Sequence, residues 1–235
     1  MLDVGDGLMM PEGGWNFAAV VEVFESHLRK SVPLCAEGRA YIADLSRFYL
    51  RPGSLVYELG VSTGALAREV LRQNEGRPLR YVGIDIVPAM AERAAGNLRH
   101  DPRFTAEVAD VVTYRFEPAS MFLSYYTVQF SPRRSRQHLF NVVCERLEPG
   151  GAFIMYEKVE SGDTKFDEIL ARLHTSLKLA QGFRPEEIEN KARALKGVLE
   201  PCSSIENLRM LETAGFRQVM VIFKFYCFEG YLAVR

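Results

Sequence analysis

The 235-residue sequence has one tryptophan, four cysteines and four histidines, and none of these scarce residues falls into a redox or metal-binding interval. Cys35, Cys144, Cys202 and Cys227 form no CxxC pair and sit among apolar neighbours, so four reduced, buried thiols are expected. His27, His100, His138 and His174 show no HExxH or comparable spacing, and no metal site is expected. Neither sign of charge is in excess. With 29 Lys and Arg against 30 Asp and Glu, the net charge is -1, which argues against a broad nucleic-acid footprint. The cluster Arg133-Arg134-Ser135-Arg136 reads as a solvated helix start. No uncharged apolar run reaches the roughly 18 residues of a membrane span. Met1 to Asp6 lacks the basic-then-apolar order of a secretory signal, and a cytoplasmic location is expected. Internal repeats and low-complexity blocks are absent as well.

What is present is an ordinary core composition, 48% hydrophobic and 25% charged, enough for one α/β domain with a small helical addition. Apolar residues Phe17, Val20, Val21, Phe24 and Leu28 recur at helical spacing over Asn16 to Lys30. Ser31-Val32-Pro33 interrupts that stretch, and a second helix is expected from Glu37 to Tyr49. These elements define an N-terminal helical cap over residues 1–53. The pattern then changes to strands alternating with helices. Strands are expected at Leu55–Leu59, Leu79–Asp85, Phe104–Ala109, Met121–Val128 and Ala152–Tyr156. Helices fall between them at Ala65–Gln73, Ala89–Leu98 and Ser135–Leu147. This alternation predicts βαβ units and a mostly parallel, Rossmann-like sheet spanning residues 54–235. A helical insertion over 163–197, after the fifth strand, is expected to lie on the sheet's carboxyl edge as a lid or an extra packing layer. A short helix, Ser204 to Thr213, stops at Gly215. Arg217–Tyr226 and Tyr231–Arg235, separated by Glu229-Gly230, predict an antiparallel C-terminal hairpin.

Glu58-Leu59-Gly60-Val61-Ser62-Thr63-Gly64 joins the first strand to a helix. Glycines there permit close approach of backbone and ligand, and a helix start favours an anionic group. The ExGxxxG spacing suits an amino-acid carboxylate rather than a pyrophosphate, although turn glycines also occur for steric reasons. Asp85 ends the second strand about 20 residues on, where doubly wound folds place an acid on ribose hydroxyls. It could instead cap the helix that follows Ile86. Asp110 ends the third strand and could accept adenine amino hydrogens beside Val111, or serve the turn alone.

Taken as an ordered set, these residues resemble class I S-adenosylmethionine-dependent methyltransferases. Nearly the whole chain is similar to the carboxy-S-adenosylmethionine synthase family, which modifies that cofactor with prephenate for tRNA wobble-uridine chemistry. The likeness runs through Trp15-Asn16-Phe17, Ser31-Val32-Pro33, Glu58-Leu59-Gly60-Val61-Ser62, Asp85, Pro88-Ala89-Met90 and Asp110. It continues through Thr127-Val128-Gln129-Phe130, Pro149-Gly150-Gly151-Ala152, Glu157-Lys158 and Ala214-Gly215-Phe216. It implies S-adenosyl-L-methionine as cofactor, with Cys35, Glu58, Gly60, Val61, Ser62, Gly64, Asp85, Ile86, Asp110, Val111 and Tyr125 around it. Three departures stand out. Cys35 replaces a tyrosine, Tyr125 replaces an asparagine, and Ala192 falls where the family's arginine grips the extra carboxylate. An alanine cannot pair that anion, and one step along a helix turns Arg193 about 100° away.

The expected activity is therefore methyl transfer from S-adenosyl-L-methionine to a small-molecule acceptor. Carboxy-S-adenosylmethionine synthesis and a non-catalytic cofactor-binding role are the alternatives. Displacement at a sulfonium depends mainly on positioning and desolvation. If a base is needed, His174, Tyr125 and Glu157 are the candidates. Tyr125 and Tyr126 are expected to face opposite sides of their strand. Glu157-Lys158 reads equally as an ion pair or a substrate contact. A homodimer in which the N-terminal helix exchanges is plausible by analogy with the family.

Overall fold

The computed structural model describes residues 1–235 throughout. A two-stranded ribbon, β1 (Leu2–Asp3) and β2 (Met9–Met10), opens the chain. Helices α1 (Phe24–Ser31) and α2 (Cys35–Tyr49) follow. The alternating section comprises β3 (Leu55–Leu59), α3 (Ala65–Gln73), β4 (Arg80–Asp85), α4 (Pro88–Asn97) and β5 (Phe104–Val108), then β6 (Ala119–Tyr125), α5 (Arg133–Arg146) and β7 (Leu147–Glu160). The chain ends with α6 (Thr164–Ala180), α7 (Pro185–Leu195), β8 (Cys202–Ser203), α8 (Ser204–Thr213), β9 (Gln218–Phe225) and β10 (Phe228–Val234). The main sheet runs β5-β4-β3-β6-β7-β10-β9, with β8 pairing the far end of β7. Pairs from β5 to β7 are parallel, and β10 is antiparallel to both β7 and β9.

Every residue of β3 is buried, as a strand covered on both faces requires. Successive side chains enter opposite cores. Val56, Leu123, Ile154 and Leu232 join Ile42 of α2 and Leu66 and Val70 of α3 on one face. Tyr57, Phe122, Phe153 and Tyr231 join Leu139 and Phe140 of α5 and Leu211 of α8 on the other. Helix starts carry local signals. Asp163 accepts from Lys165 N and Phe166 N ahead of α6, Pro88 opens α4, and Ser203 with Glu206 forms a capping box at α8. No helix is long and apolar enough to cross a membrane.

Four local expectations are corrected. Asn16–Lys30 is not one helix, because a 3₁₀ turn at Phe17–Val20, capped by Asn16, precedes α1. Val20 packs with Val4, Leu8, Met10, Met90 and Ala194, a satellite core that pulls this segment out of helical continuation. The fourth strand stops at Tyr125 because Tyr126 has φ 60°. The fifth strand does not begin at Ala152, because β7 starts at Leu147 and carries Glu148–Gly151 as an irregularity within it. The C-terminal hairpin turns at Tyr226-Cys227, and Glu229-Gly230 lies within β10 opposite Glu157 and Tyr156. Gly230 is there for room, since a Cβ would lie 2.6 Å from the Tyr156 ring.

Candidate active site

The carboxyl ends of β3, β4 and β6 and the loop after β5 open onto a cavity of about 340 Å³. Its remaining walls come from the segment Trp15 to Arg39, from Lys158 of β7, and from α6 and α7 through His174, Lys178, Lys191 and Leu195. Of the sequence-derived cofactor residues, Glu58, Gly60, Val61, Ser62, Asp85, Ile86, Asp110, Val111 and Tyr125 line it.

The loop after β3 is held by its own hydrogen bonds. Gly60 N and Val61 N both donate to the Ile84 carbonyl, at 2.8 and 2.9 Å. Gly60 has φ 77°, and a Cβ there would fall 2.2 Å from Thr127 Oγ1. Glycine is thus demanded at 60 by conformation and by Thr127 together. Ser62 N, at φ 51°, donates to Asp85 Oδ2 at 2.8 Å and so ties the loop to the next strand.

Asp85 also accepts from Val87 N through Oδ1 at 3.0 Å. The turn-forming reading of Asp85 is thus met: each oxygen receives one backbone amide, and the residue lines the cavity with further acceptor capacity on both oxygens. Burial raises its carboxyl above the usual range, and the two amides oppose that shift. Glu58 is 2% exposed and accepts from Tyr81 Oη at 2.7 Å. Burial pushes it up to about 8, with the Tyr81 hydrogen bond opposing and Asp85 adding to the rise. Asp110 is exposed, its Oδ1 taken by Val112 N at 2.9 Å and no protein donor on Oδ2.

Three expected site residues lie outside the cavity lining. Cys35 is buried, and what it offers is its carbonyl, which accepts from Tyr125 Oη at 2.6 Å. Gly64 serves packing, because a Cβ there would meet Leu98 at 2.9 Å and Ala94 at 3.3 Å. Glu157 is 3% exposed and accepts from Val128 N at 3.1 Å, with burial pushing it up to about 8. Strand alternation turns Glu157 away from Lys158, and the two form no ion pair; Lys158 alone lines the cavity.

Tyr125 commits its hydroxyl hydrogen to the Cys35 carbonyl, and burial suppresses its acidity strongly. Tyr126 lines the cavity beside it, contrary to strict alternation, because its left-handed backbone lies beyond the strand. His174 Nε2 lies 2.7 Å from the Ser31 carbonyl, which only accepts, so Nε2 carries the proton and Nδ1 the lone pair. Burial, then Lys178, lower His174 to about 3.

Sequence reasoning missed the basic wall. Lys178 and Lys191 carry no local signal, since helical lysines ordinarily face solvent. Lys191 Nζ donates to His27 Nε2 and to Ser31 Oγ, each at 2.7 Å, while His27 Nδ1 donates to Asp6 Oδ2 at 2.8 Å. Ala192 and Arg193 are exposed, and Arg193 pairs with Glu12 at 2.8 Å rather than reaching the cavity.

A family model described as a methyltransferase domain matches residues 56–151. Human N-acetylserotonin methyltransferase, solved with S-adenosylmethionine, superposes with TM-score 0.59 at 17% identity, over 93% of this chain and 54% of its own. Haemonchus contortus phosphoethanolamine N-methyltransferase 2, solved with phosphomonomethylethanolamine and S-adenosylhomocysteine, does so with TM-score 0.58 at 16% identity, over 83% and 52%. Sheet order, the matched methyltransferase domain and these superpositions give the protein the fold of class I S-adenosylmethionine-dependent methyltransferases. The carboxy-S-adenosyl-L-methionine synthase of Yersinia pestis (strain Pestoides F) is 32% identical over 230 residues, 95% of this chain and 85% of that protein. The synthase of Yersinia pseudotuberculosis serotype O:1b (strain IP 31758) matches to the same extent. Within its class, then, the chain belongs to the carboxy-S-adenosyl-L-methionine synthase family.

Proposed function

We propose that the protein transfers the methyl group of S-adenosyl-L-methionine to a small-molecule acceptor bound in the same cavity. The observation that carries this reading is the convergence of Glu58, Asp85 and Asp110 on one cavity of about 340 Å³, roofed by α1, α6 and α7. That volume falls in the small-ligand range of roughly 300–1,000 Å³. The residues suit an adenosyl group: Asp85 retains acceptor capacity for two ribose hydroxyls, Asp110 Oδ2 is unengaged, and Ile86 leaves an aliphatic face 65% exposed to a flat ring. When bound, the cofactor supplies an electrophilic methyl on a sulfonium. The chain's part is to orient it, exclude water and hold the acceptor in line. His174 Nδ1 is too weakly basic to store a proton near neutrality and acts as an orienting acceptor, while Tyr125 and Glu157 are committed elsewhere. An acceptor that presents a lone pair needs no base.

Carboxy-S-adenosylmethionine synthesis is the second reading, favoured by the identity over 95% of the chain. Ala192 opposes it, because that position offers the extra carboxylate no partner. Incubation with S-adenosylmethionine and prephenate, followed by mass spectrometry, is expected to yield no carboxylated cofactor. A clear yield would replace the first reading with the second. With methyl-labelled cofactor and a fractionated cell extract, label is expected in the low-mass fraction; label confined to RNA or protein refutes a small acceptor.

A further inference from the structure

The wall of the cavity formed by α1, α2 and the start of α3 carries a buried cation. Arg39 of α2 lines the cavity and is only 6% exposed. Its Nε lies 3.5 Å from Glu69 Oε1 of α3 and makes no hydrogen bond. Its Nη1 approaches Glu25 Oε2 of α1 at 3.1 Å. The other oxygen of Glu25 accepts from Thr63 Oγ1 at 2.7 Å. Buried guanidinium groups ordinarily direct their N–H groups at aligned acceptors, so a donor left over beside a cavity calls for an acceptor from outside. The start of α3 makes the same demand. Gly64 offers it no capping side chain, and the amides of Ala65 and Leu66, both lining the cavity, donate to no acceptor.

Glu25 is the unusual member of this group. From the first turn of α1 it reaches both α2 and the loop ahead of α3. There it does what a ligand carboxylate would do, neutralising Arg39 and accepting from a hydroxyl at a helix start. Thr63 does not line the cavity, so its hydroxyl holds Glu25 and is turned away from any ligand. The hold is light. It consists of one hydrogen bond and one ion pair on a flexible side chain that is 29% exposed and so has solvent to swing into. A carboxylate carried by a molecule already anchored at Asp85 meets Arg39 at high effective concentration and competes well with it.

We propose that Glu25 is an internal stand-in for ligand: in the empty cavity its carboxylate occupies Arg39, and the carboxylate of the cofactor's amino-acid end displaces it toward solvent. The inference rests on S-adenosyl-L-methionine as cofactor and not on which acceptor takes the methyl group. It makes Arg39 and Glu25 opposing determinants of affinity. Arg39 adds to cofactor binding and Glu25 subtracts from it. Selectivity follows, because an adenosyl ligand without the amino acid has no carboxylate to exchange and gains nothing from Arg39.

Calorimetry on the full chain tests the exchange by comparing S-adenosylhomocysteine with methylthioadenosine, which shares the adenosyl thioether but lacks the amino acid. Glu25→Ala is expected to tighten S-adenosylhomocysteine by at least about fivefold, from loss of the competitor, and to leave methylthioadenosine within about twofold. Thr63→Val, which releases Glu25 from its other side, is expected to tighten the same ligand in the same direction. Arg39→Met is expected to weaken S-adenosylhomocysteine by at least about tenfold. In that background Glu25→Ala is expected to add nothing, since the contested partner is gone. Should Arg39→Met lose its fold in thermal melts, the Glu25 and Thr63 variants carry the test alone. Unchanged or weaker S-adenosylhomocysteine binding in Glu25→Ala overturns the stand-in, and so does an equal gain for methylthioadenosine. Either result leaves the cofactor reading in place. Failure of the wild-type chain to bind S-adenosylhomocysteine overturns the cofactor reading and this inference with it.

Discussion

Asp85→Asn tests whether the strand-end acid holds ligand or merely pins a turn. Both carboxylate oxygens of Asp85 accept from backbone amides, Ser62 N at 2.8 Å and Val87 N at 3.0 Å. An asparagine satisfies only one of these donors, and its amide group faces the other with hydrogen against hydrogen. The loop therefore loses a hydrogen bond to a charged acceptor, about 1.5–3 kcal/mol. A ribose diol, if it binds here, loses a charged acceptor of similar worth, about 1.5–3 kcal/mol, or roughly 10- to 150-fold in Kd. Titration of wild type and variant with S-adenosylhomocysteine by calorimetry, alongside thermal melts without ligand, separates the two effects. The expected result is a Tm lowered by several degrees together with a Kd weakened at least tenfold. A lowered Tm with Kd within twofold of wild type would refute the ligand role and leave Asp85 as a turn residue.

Gly60→Ala forces a Cβ to within 2.2 Å of Thr127 Oγ1 at φ 77°. Strain and overpacking together cost about 2–5 kcal/mol, read as a Tm loss of roughly 2–4 °C per kcal/mol. Adding Thr127→Ala is expected to recover the overpacking share but not the backbone share. For pH, Glu58 and Glu157 sit near 8 in the folded chain against about 4.5 unfolded, so the native state holds more protons and stability falls as pH rises between those values. His27 and His174, lowered to about 4 and about 3, act oppositely, with stability lost as pH falls from about 6.5. The two pairs oppose one another from about 4.5 to 6.5; from 6.5 to 8 the carboxyls draw stability down while Lys191, held well below its usual value by burial, draws it up. Urea denaturation across that window is expected to carry the carboxyls' share as a downward slope within the sum. Glu157→Gln is expected to reduce that slope by up to about 1.4 kcal/mol per pH unit, and an unchanged slope would contradict the assignment.

The strands from β3 to β7 and the helices between them were legible because their signals are local. Apolar runs such as Leu55–Leu59, punctuated by Gly60 and Pro88, state their own secondary structure within a few residues. Glu58, Asp85 and Asp110 were legible for the same reason, since parallel topology sends every strand end to one edge. The errors arose where a distant partner outweighed local pattern. Glu229-Gly230 looks like a turn in one dimension, yet Gly230 is small because the Tyr156 ring lies against it across the sheet. Cys35 and Glu157 were placed in the site by position alone, although their polar groups are spent on Tyr125 and Val128.

Local order in the chain was enough to specify a Rossmann-like sheet, a glycine bend after its first strand and acids at its edge, because hydrogen-bond ladders and side-chain alternation act between near neighbours. The basic wall was settled by packing. Lys158, Lys178 and Lys191 lie on a strand and two separate helices, and any of them could face water in another arrangement of α6 and α7. Which way they face depends on how those helices settle against α1 and β7, through contacts such as His174 with Ser31 and Lys191 with His27. These contacts span more than a hundred residues of chain, beyond the reach of any periodicity.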